Sequence, residues 1–233
     1  MPSPFDQSAY QVRFEWGAQG LQRLAPADVV IVVDVLRFSS TVTDAVASGA
    51  SVSLGAARGW SRNGAAVVDT ATRGAAERGG VEDAGSAEPV VLIGCLRNAS
   101  AVARTVLEIQ DRRQQRTSVS VIAAGELTDA GALRFAVEDQ LGAGAIISAL
   151  SDRGVDHTSP EAAATGETAR GLRRAMRHLL TASGSGRELA EGLAATARIE
   201  ASGLVPTSVA AAAELDAVET VPVLRRELFV PFQ

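Results

Sequence analysis

Val29-Val30-Ile31-Val32-Val33 is an unbroken run of β-branched residues, and it constrains the fold more than any other segment of the chain. A strand with one wet face alternates apolar and polar residues, whereas a run apolar at every position needs cover on both faces. The run ends at Asp34. After Val35-Leu36-Arg37-Phe38 come Ser39, Ser40 and Thr41, which suit the N-cap of a helix through Ala47, closed by Gly49. Strand, polar loop and helix make one unit of a parallel α/β sheet.

The same grammar recurs. Tyr10–Trp16 alternates like a strand, and a short helix fits after Gly17 and before Pro26. Val90–Ile93 reads as a strand running into Gly94-Cys95-Leu96-Arg97-Asn98, with a helix over about 99–109. Ser118–Ala123 is a third strand, followed by Ala124-Gly125-Glu126. A helix is expected over 133–141, closed by Gly142 and Gly144, then a strand over 145–150. Beyond Pro160 the pattern is helical to Leu180, broken at Ser183–Gly186 and resumed from Arg187, with a last strand over 218–224. Residues 55–88 show little periodicity; a helix over 65–76 fits and the remainder reads as loop. With 233 residues, the chain is expected to be a single domain over 1–233, with sub-lobes at about 1–155 and 156–233.

Composition narrows the function classes. Hydrophobic residues make up 46% of the chain, so it can bury a core, and with aromatics at 4% that core must be mostly Ala, Val, Leu and Ile. The net charge of −5 argues against nucleic-acid or anionic-membrane binding, although a few Arg side chains focused in a cleft still suit a small anion. Lone Cys95 excludes an internal disulfide, and with two His it excludes zinc sites of the usual spacing. Met1–Tyr10 lacks a signal-peptide pattern, and no apolar run reaches the ~18 residues a membrane span needs. A cytoplasmic protein is expected.

Ligands of open α/β sheets bind at the carboxyl ends of the strands. Three such ends carry polar residues here: Asp34–Thr41, Cys95–Ser100 and Gly125-Glu126. Asp34 suits a loop cap, a metal ligand or a catalytic acid/base. Arg37 offers a planar fork for phosphate or sulfonate oxygens, and Ser39, Ser40 and Thr41 add hydroxyls and helix-start N–H groups. Glu138 and Asp139, adjacent on a helix, point about 100° apart, so one suits a ligand role and the other solvent. Ser183-Gly-Ser-Gly-Arg187 fits an anion-binding helix start or a plain helix–helix loop. His157 and His178 read as solvated, and Cys95 as a small core residue rather than a nucleophile.

At these motifs the chain resembles the 2-phosphosulfolactate phosphatase (ComB) family. Asp34-Val35-Leu36-Arg37 with Ser39–Thr41 and Gly49-Ala50 resembles the family's first strand end and helix. Gly94–Ala103 is similar to its Asn-Ala-x-Ala-Val-Ala segment. Ala123-Ala124-Gly125-Glu126, Ala136–Ala145, Ser185–Leu189 and Val221-Pro222-Val223 follow in the family's order. The segment over 55–88 is shorter than the family's; Asn63-Gly64-Ala65 fits its Asn-Gly element, and Glu77-Arg78-Gly79-Gly80 fits its Gly-Glu-Arg element.

The resemblance implies a three-layer α/β/α fold with a largely parallel mixed sheet. It also implies a Mg²⁺-dependent phosphatase that converts 2-phosphosulfolactate to sulfolactate and phosphate, a step of coenzyme M biosynthesis. Asp34, Arg37 and Glu126 are then the expected catalytic residues. Asp34, Glu138 and Asp139 are expected to hold Mg²⁺, and Ser39, Ser40, Thr41, Asn63, Arg97, Asn98 and Arg187 to bind substrate. The expected partner is the small anionic phosphorylated substrate, and the Ala-rich C-terminal helices suit either core or a homodimer interface. The alternatives are a non-catalytic relative that binds an anionic metabolite or protein, and another small-molecule phosphomonoesterase. A haloacid-dehalogenase-type enzyme needs a second Asp two positions after the first, where Leu36 stands.

Overall fold

The computed structural model describes residues 3–78, 88–128, 130–192 and 194–233. Along the chain it forms β1 (Val12–Trp16), α1 (Gly17–Arg23), β2 (Val29–Val33), α2 (Ser40–Ala47), β3 (Val52–Ser53), α3 (Leu54–Arg58), α4 (Arg62–Arg78), β4 (Val90–Gly94), α5 (Ala99–Arg113), β5 (Val119–Ala123), β6 (Glu126–Leu127) and β7 (Leu133–Arg134). There follow α6 (Val137–Ser151), α7 (Pro160–Leu172), α8 (Met176–Ala182), α9 (Gly184–Ala190), α10 (Ala194–Ala201), α11 (Val209–Ala212), β8 (Pro222–Arg225) and β9 (Leu228–Pro231).

A seven-stranded sheet runs β1-β5-β2-β4-β8-β9-β3, and β6 and β7 pair as a separate hairpin. The first four strands of that order are parallel, while β8, β9 and β3 add antiparallel strands at one side. The β-branched run is fully buried, as its pattern requires, and its period of two sorts side chains to opposite faces. Val29, Ile31 and Val33 join one apolar cluster with residues of α5, α6 and α7, while Val30 and Val32 join another with residues of α2, α3 and α4. The sheet is therefore covered on both sides, and the fold is a three-layer α/β/α arrangement with a largely parallel mixed sheet.

Several boundaries differ from the sequence expectation. The helix placed over 133–141 begins at Val137, because Leu133-Arg134 pairs with Glu126-Leu127. It does not stop at Gly142 and Gly144 but runs to Ser151, so the strand expected over 145–150 is helical. Both glycines are packing residues instead. A Cβ on Gly144 would stand 2.3 Å from the Thr165 carbonyl oxygen of α7, and one on Gly142 would stand 2.5 Å from the Val35 side chain. The last strand begins at Pro222 rather than 218. In the weakly periodic segment the helix expected over 65–76 is present as α4, longer at both ends, and α3 replaces another part of the expected loop; residues 79–87, with Gly79 and Gly80, lie outside the described residues. Among the described residues no helix is long and apolar enough to cross a membrane.

Candidate active site

β2 and β5 are neighbours, but the chain leaves β2 for helices on one face of the sheet and leaves β5 for α6 on the other. Connections that part in this way open a crevice at the carboxyl ends of the two strands. Asp34 stands at the end of β2, and Gly125-Glu126 just past β5. A cavity of about 570 Å³ opens there, lined by Asp34, Arg37, Asn63, Glu126, Ser185 and Arg198 among others. The crevice thus joins two of the three polar strand ends and leaves out the one at β4.

Asp34 is held by the start of α4. The Ser61 hydroxyl donates to its Oδ2 at 2.6 Å, and the Gly64 N–H donates to the same oxygen at 3.2 Å while also reaching the Ser61 hydroxyl at 3.1 Å. Ser61 therefore caps the helix and passes its own proton toward the carboxylate. Gly64 has to be glycine for this approach, since a Cβ would lie 2.7 Å from Asp34 Oδ2 and 2.8 Å from the Phe38 ring. Asn63 ties the same turn to the neighbouring strand end, donating to the Gly125 carbonyl at 2.7 Å.

Carboxylates crowd around Asp34. Glu138 and Asp139, in the first turn of α6, are 2% and 3% exposed, so neither is the solvated acid expected on the helix surface. They differ in what satisfies them. Asp139 accepts the Val35 N–H at 2.7 Å on one oxygen and the Gly125 N–H at 2.9 Å on the other, clamping the ends of β2 and β5 together. Both oxygens of this expected metal ligand are thus already engaged. Among the described residues no hydrogen bond reaches the Glu138 carboxylate. Burial raises Asp34 to about 6, with the nearby Glu138 charge adding to the rise and the Ser61 and Gly64 hydrogen bonds opposing it. Burial, then Asp34 and Glu138, push Asp139 well above the ordinary carboxylate range. Glu126 is raised by burial and by the charges of Asp34 and Glu138, against a hydrogen bond from Ser185.

Cationic groups share the cavity. Arg37 is 7% exposed, lines the pocket and donates to the Thr196 hydroxyl of α10. Arg62 and Arg198 also line it, with Ser61, Trp60 and Glu188. Sequence reasoning did not assign site roles to Ser61, Arg62, Glu188 and Arg198, because none sits at a strand end; the Ser-x-Asn-Gly start of α4 is the local signal for the first two, and Glu188 lies in the Ser185–Leu189 segment.

A family model described as 2-phosphosulpholactate phosphatase matches residues 61–227. The chain belongs to the 2-phosphosulpholactate phosphatase family. Comparison with curated proteins returns no match. The matched segment includes Ser61, Asn63, Glu126, Glu138 and Asp139, while the Asp34–Thr41 stretch precedes it.

In this member of the 2-phosphosulpholactate phosphatase family, several expected substrate-binding residues stand apart from the pocket lining. The Ser39 hydroxyl accepts the Asp34 N–H and donates to the Val32 carbonyl, Ser40 donates to the Val35 carbonyl, and Thr41 accepts the Thr207 N–H. All three are fully buried, so the Ser39 and Ser40 hydroxyls shape the turn after β2 and the Thr41 hydroxyl holds the Thr207 segment, instead of presenting an anion cradle. Asn98 is likewise enclosed, donating to the Ile93 and Thr220 carbonyls and accepting the Cys95 N–H. Arg97 is consumed by Asp44 at 2.8 Å and Glu214 at 3.2 Å. Arg187 is exposed on α9 beside the pocket residues Ser185 and Glu188 but does not itself line the cavity. Cys95 is buried, and its thiol is pushed up by burial, which suits a core residue.

Proposed function

We propose that the pocket hydrolyses a small phosphorylated sulfonate, 2-phosphosulfolactate, to sulfolactate and phosphate with Mg²⁺ as cofactor. The observation that carries this reading is the convergence of Asp34, Glu126 and Arg37 on one cavity at the β2/β5 crevice of a chain from this family. Phosphoryl transfer asks a protein mainly for positioning and charge stabilisation, and this lining is equipped for both.

The donor set fits Mg²⁺. It is all oxygen, it is crowded with like charge that a cation relieves, and the Glu138 carboxylate is not taken up by a hydrogen bond among the described residues. Those residues contain no group of three Asp, Glu, His or Cys side chains that converge closely enough to chelate an ion. That is compatible with Mg²⁺, which takes one or two protein carboxylates and keeps water and phosphate oxygens in its remaining positions. Asp34 and Glu138 are the residues to hold it, with Asp139 fixing the loops that carry them. When bound, the ion neutralises phosphoryl oxygens and acidifies water.

The chain's own groups do the remainder. The guanidinium of Arg37, pinned by Thr196, grips two phosphate oxygens with its planar fork. Water forms the new O–P bond as the ester O–P bond breaks. Glu126, whose carboxyl is raised above the ordinary carboxylate value by burial and by the charges of Asp34 and Glu138, gives its proton to the leaving alkoxide oxygen of sulfolactate and regains one from the attacking water. The test is phosphate release from 2-phosphosulfolactate by purified protein with Mg²⁺, which chelation should abolish. Asp34→Asn should lower kcat by about 10³ or more, the scale of losing a main electrostatic group. Intact protein that is inert toward this substrate and a panel of small phosphomonoesters would end the reading.

A further inference from the structure

Of the three arginines in the pocket lining, two have no part in the phosphate site described above. Arg62 makes no ion pair or hydrogen bond among the described residues, and Arg198 makes no ion pair. Among the described residues several other exposed arginines also lack a carboxylate partner, whereas Arg23, Arg58, Arg104, Arg112 and Arg170 have one; what sets Arg62 and Arg198 apart is their shared place in the pocket lining. Arg198 donates through Nε to the Gly59 carbonyl at 2.6 Å, which leaves its two terminal nitrogens available and fixes α10 against the Gly59–Gly64 turn. That turn carries Arg62 between Ser61, which holds Asp34, and Asn63, which holds Gly125. The two guanidinium groups therefore come from neighbouring parts of one wall, next to the carboxylate site but not engaged with it.

We infer that Arg62 and Arg198 form a second anion subsite, which binds the sulfonate or carboxylate end of the substrate while the phosphate lies at Arg37. This inference rests on the phosphatase reading of the pocket and adds its basis of selectivity. An oxyanion other than phosphate supplies the charge that these two side chains lack in the protein itself. Arg198 and Thr196 share α10, so the helix that binds the far end of the substrate also sets the guanidinium that grips the phosphate. A substrate without a second anionic group leaves Arg62 and Arg198 unpaired, and the pocket discriminates against it.

Calorimetric titration of the full chain in Mg²⁺ with two separate probes, sulfolactate and inorganic phosphate, tests this. Sulfolactate carries a sulfonate and a carboxylate but no phosphate. The expected result is that wild-type protein binds both probes. In Arg62→Gln and Arg198→Gln, the ratio of sulfolactate affinity to phosphate affinity should fall tenfold or more, and Arg198→Lys should recover part of that loss. Because Arg198 also supports the Gly59 turn, Arg62→Gln is the deciding variant. An unchanged ratio in Arg62→Gln, or wild-type protein that binds phosphate but not sulfolactate, overturns the subsite. Binding that follows this pattern in a protein that releases no phosphate from any phosphomonoester retains the subsite and removes the proposed reaction instead.

Discussion

Asp34 is placed where its own charge is unwelcome. With its pKa raised from 3.8 to about 6 by burial first and by Glu138, the folded chain binds its proton more tightly than the unfolded chain does. The sign follows from linkage: stability is greatest below pH 4 as far as this group is concerned, and is lost as the pH rises through about 6. In chelator, Asp34→Asn should therefore be more stable than wild type at pH 7.5, by up to about 3 kcal/mol, and the gap should close toward pH 4. Denaturant melts at both pH values measure it; equal stabilities at pH 7.5 would remove Asp34 as a strained charge. Asp139 combines a raised carboxyl with a structural role. Its two oxygens accept two buried backbone N–H groups, so Asp139→Ala leaves both donors unpaired and should cost about 2–5 kcal/mol at low pH, and less as the pH rises, because burial makes the ionised wild-type carboxylate unfavourable. The sequence showed Asp34, Glu126, Glu138 and Asp139 as residues of interest but not these differences, because hydrogen-bond satisfaction depends on which backbone amides the fold delivers to each oxygen. The hydroxyls of Ser39, Ser40 and Thr41 show the same gap: their residue types suit an anion site, and backbone groups of the turn and of Thr207 take up all three.

At the scale of elements, the strands were legible and α6 was not. A β-branched run buried on both faces carries its own signature, so β2, β4 and β5 stand close to where the pattern puts them. Gly142 and Gly144 in α6 carry the ordinary signature of a helix end. Their reason is tertiary, since α7 crosses so closely at Gly144 that a Cβ would meet the Thr165 carbonyl oxygen and, at 2.7 Å, the Ala169 methyl group. Helix propensity favours alanine at such a position by about 1 kcal/mol, so the two effects oppose each other and packing decides. Gly144→Ala should destabilise the protein by about 1–3 kcal/mol through overpacking, lowering its melting temperature by several degrees. An unchanged or raised melting temperature would mean that α7 yields easily. The same substitution at exposed Gly171, which has nothing within 4 Å of a Cβ, is the control and should be neutral or stabilising.

The pocket collects residues from both layers over the sheet, from Asp34 beside β2 to Arg198 on α10, and its lining matches carboxylates with arginines. An anionic substrate meets a chain whose net charge is −5, so attraction has to be local, and a bound divalent cation tips the balance of the lining toward positive. A cation held there joins segments far apart in sequence and binds the folded state alone, so it raises global stability by mass action, about 2.7 kcal/mol at one hundred times its dissociation constant. Protons compete for the same carboxylates. Above about pH 6 Asp34 is ionised and its repulsion with Glu138 is relieved by the cation; below that pH the proton already supplies the relief and the cation has to displace it. The rise in melting temperature on adding Mg²⁺ should accordingly be large at pH 7.5, shrink steadily below pH 6 and be absent in Asp34→Asn throughout. Ca²⁺, with longer bonds and a demand for more ligands, should reproduce the thermal shift better than it reproduces turnover. A Mg²⁺ effect of equal size at pH 5 and pH 7.5, or one that survives in Asp34→Asn, would place the cation elsewhere on the molecule.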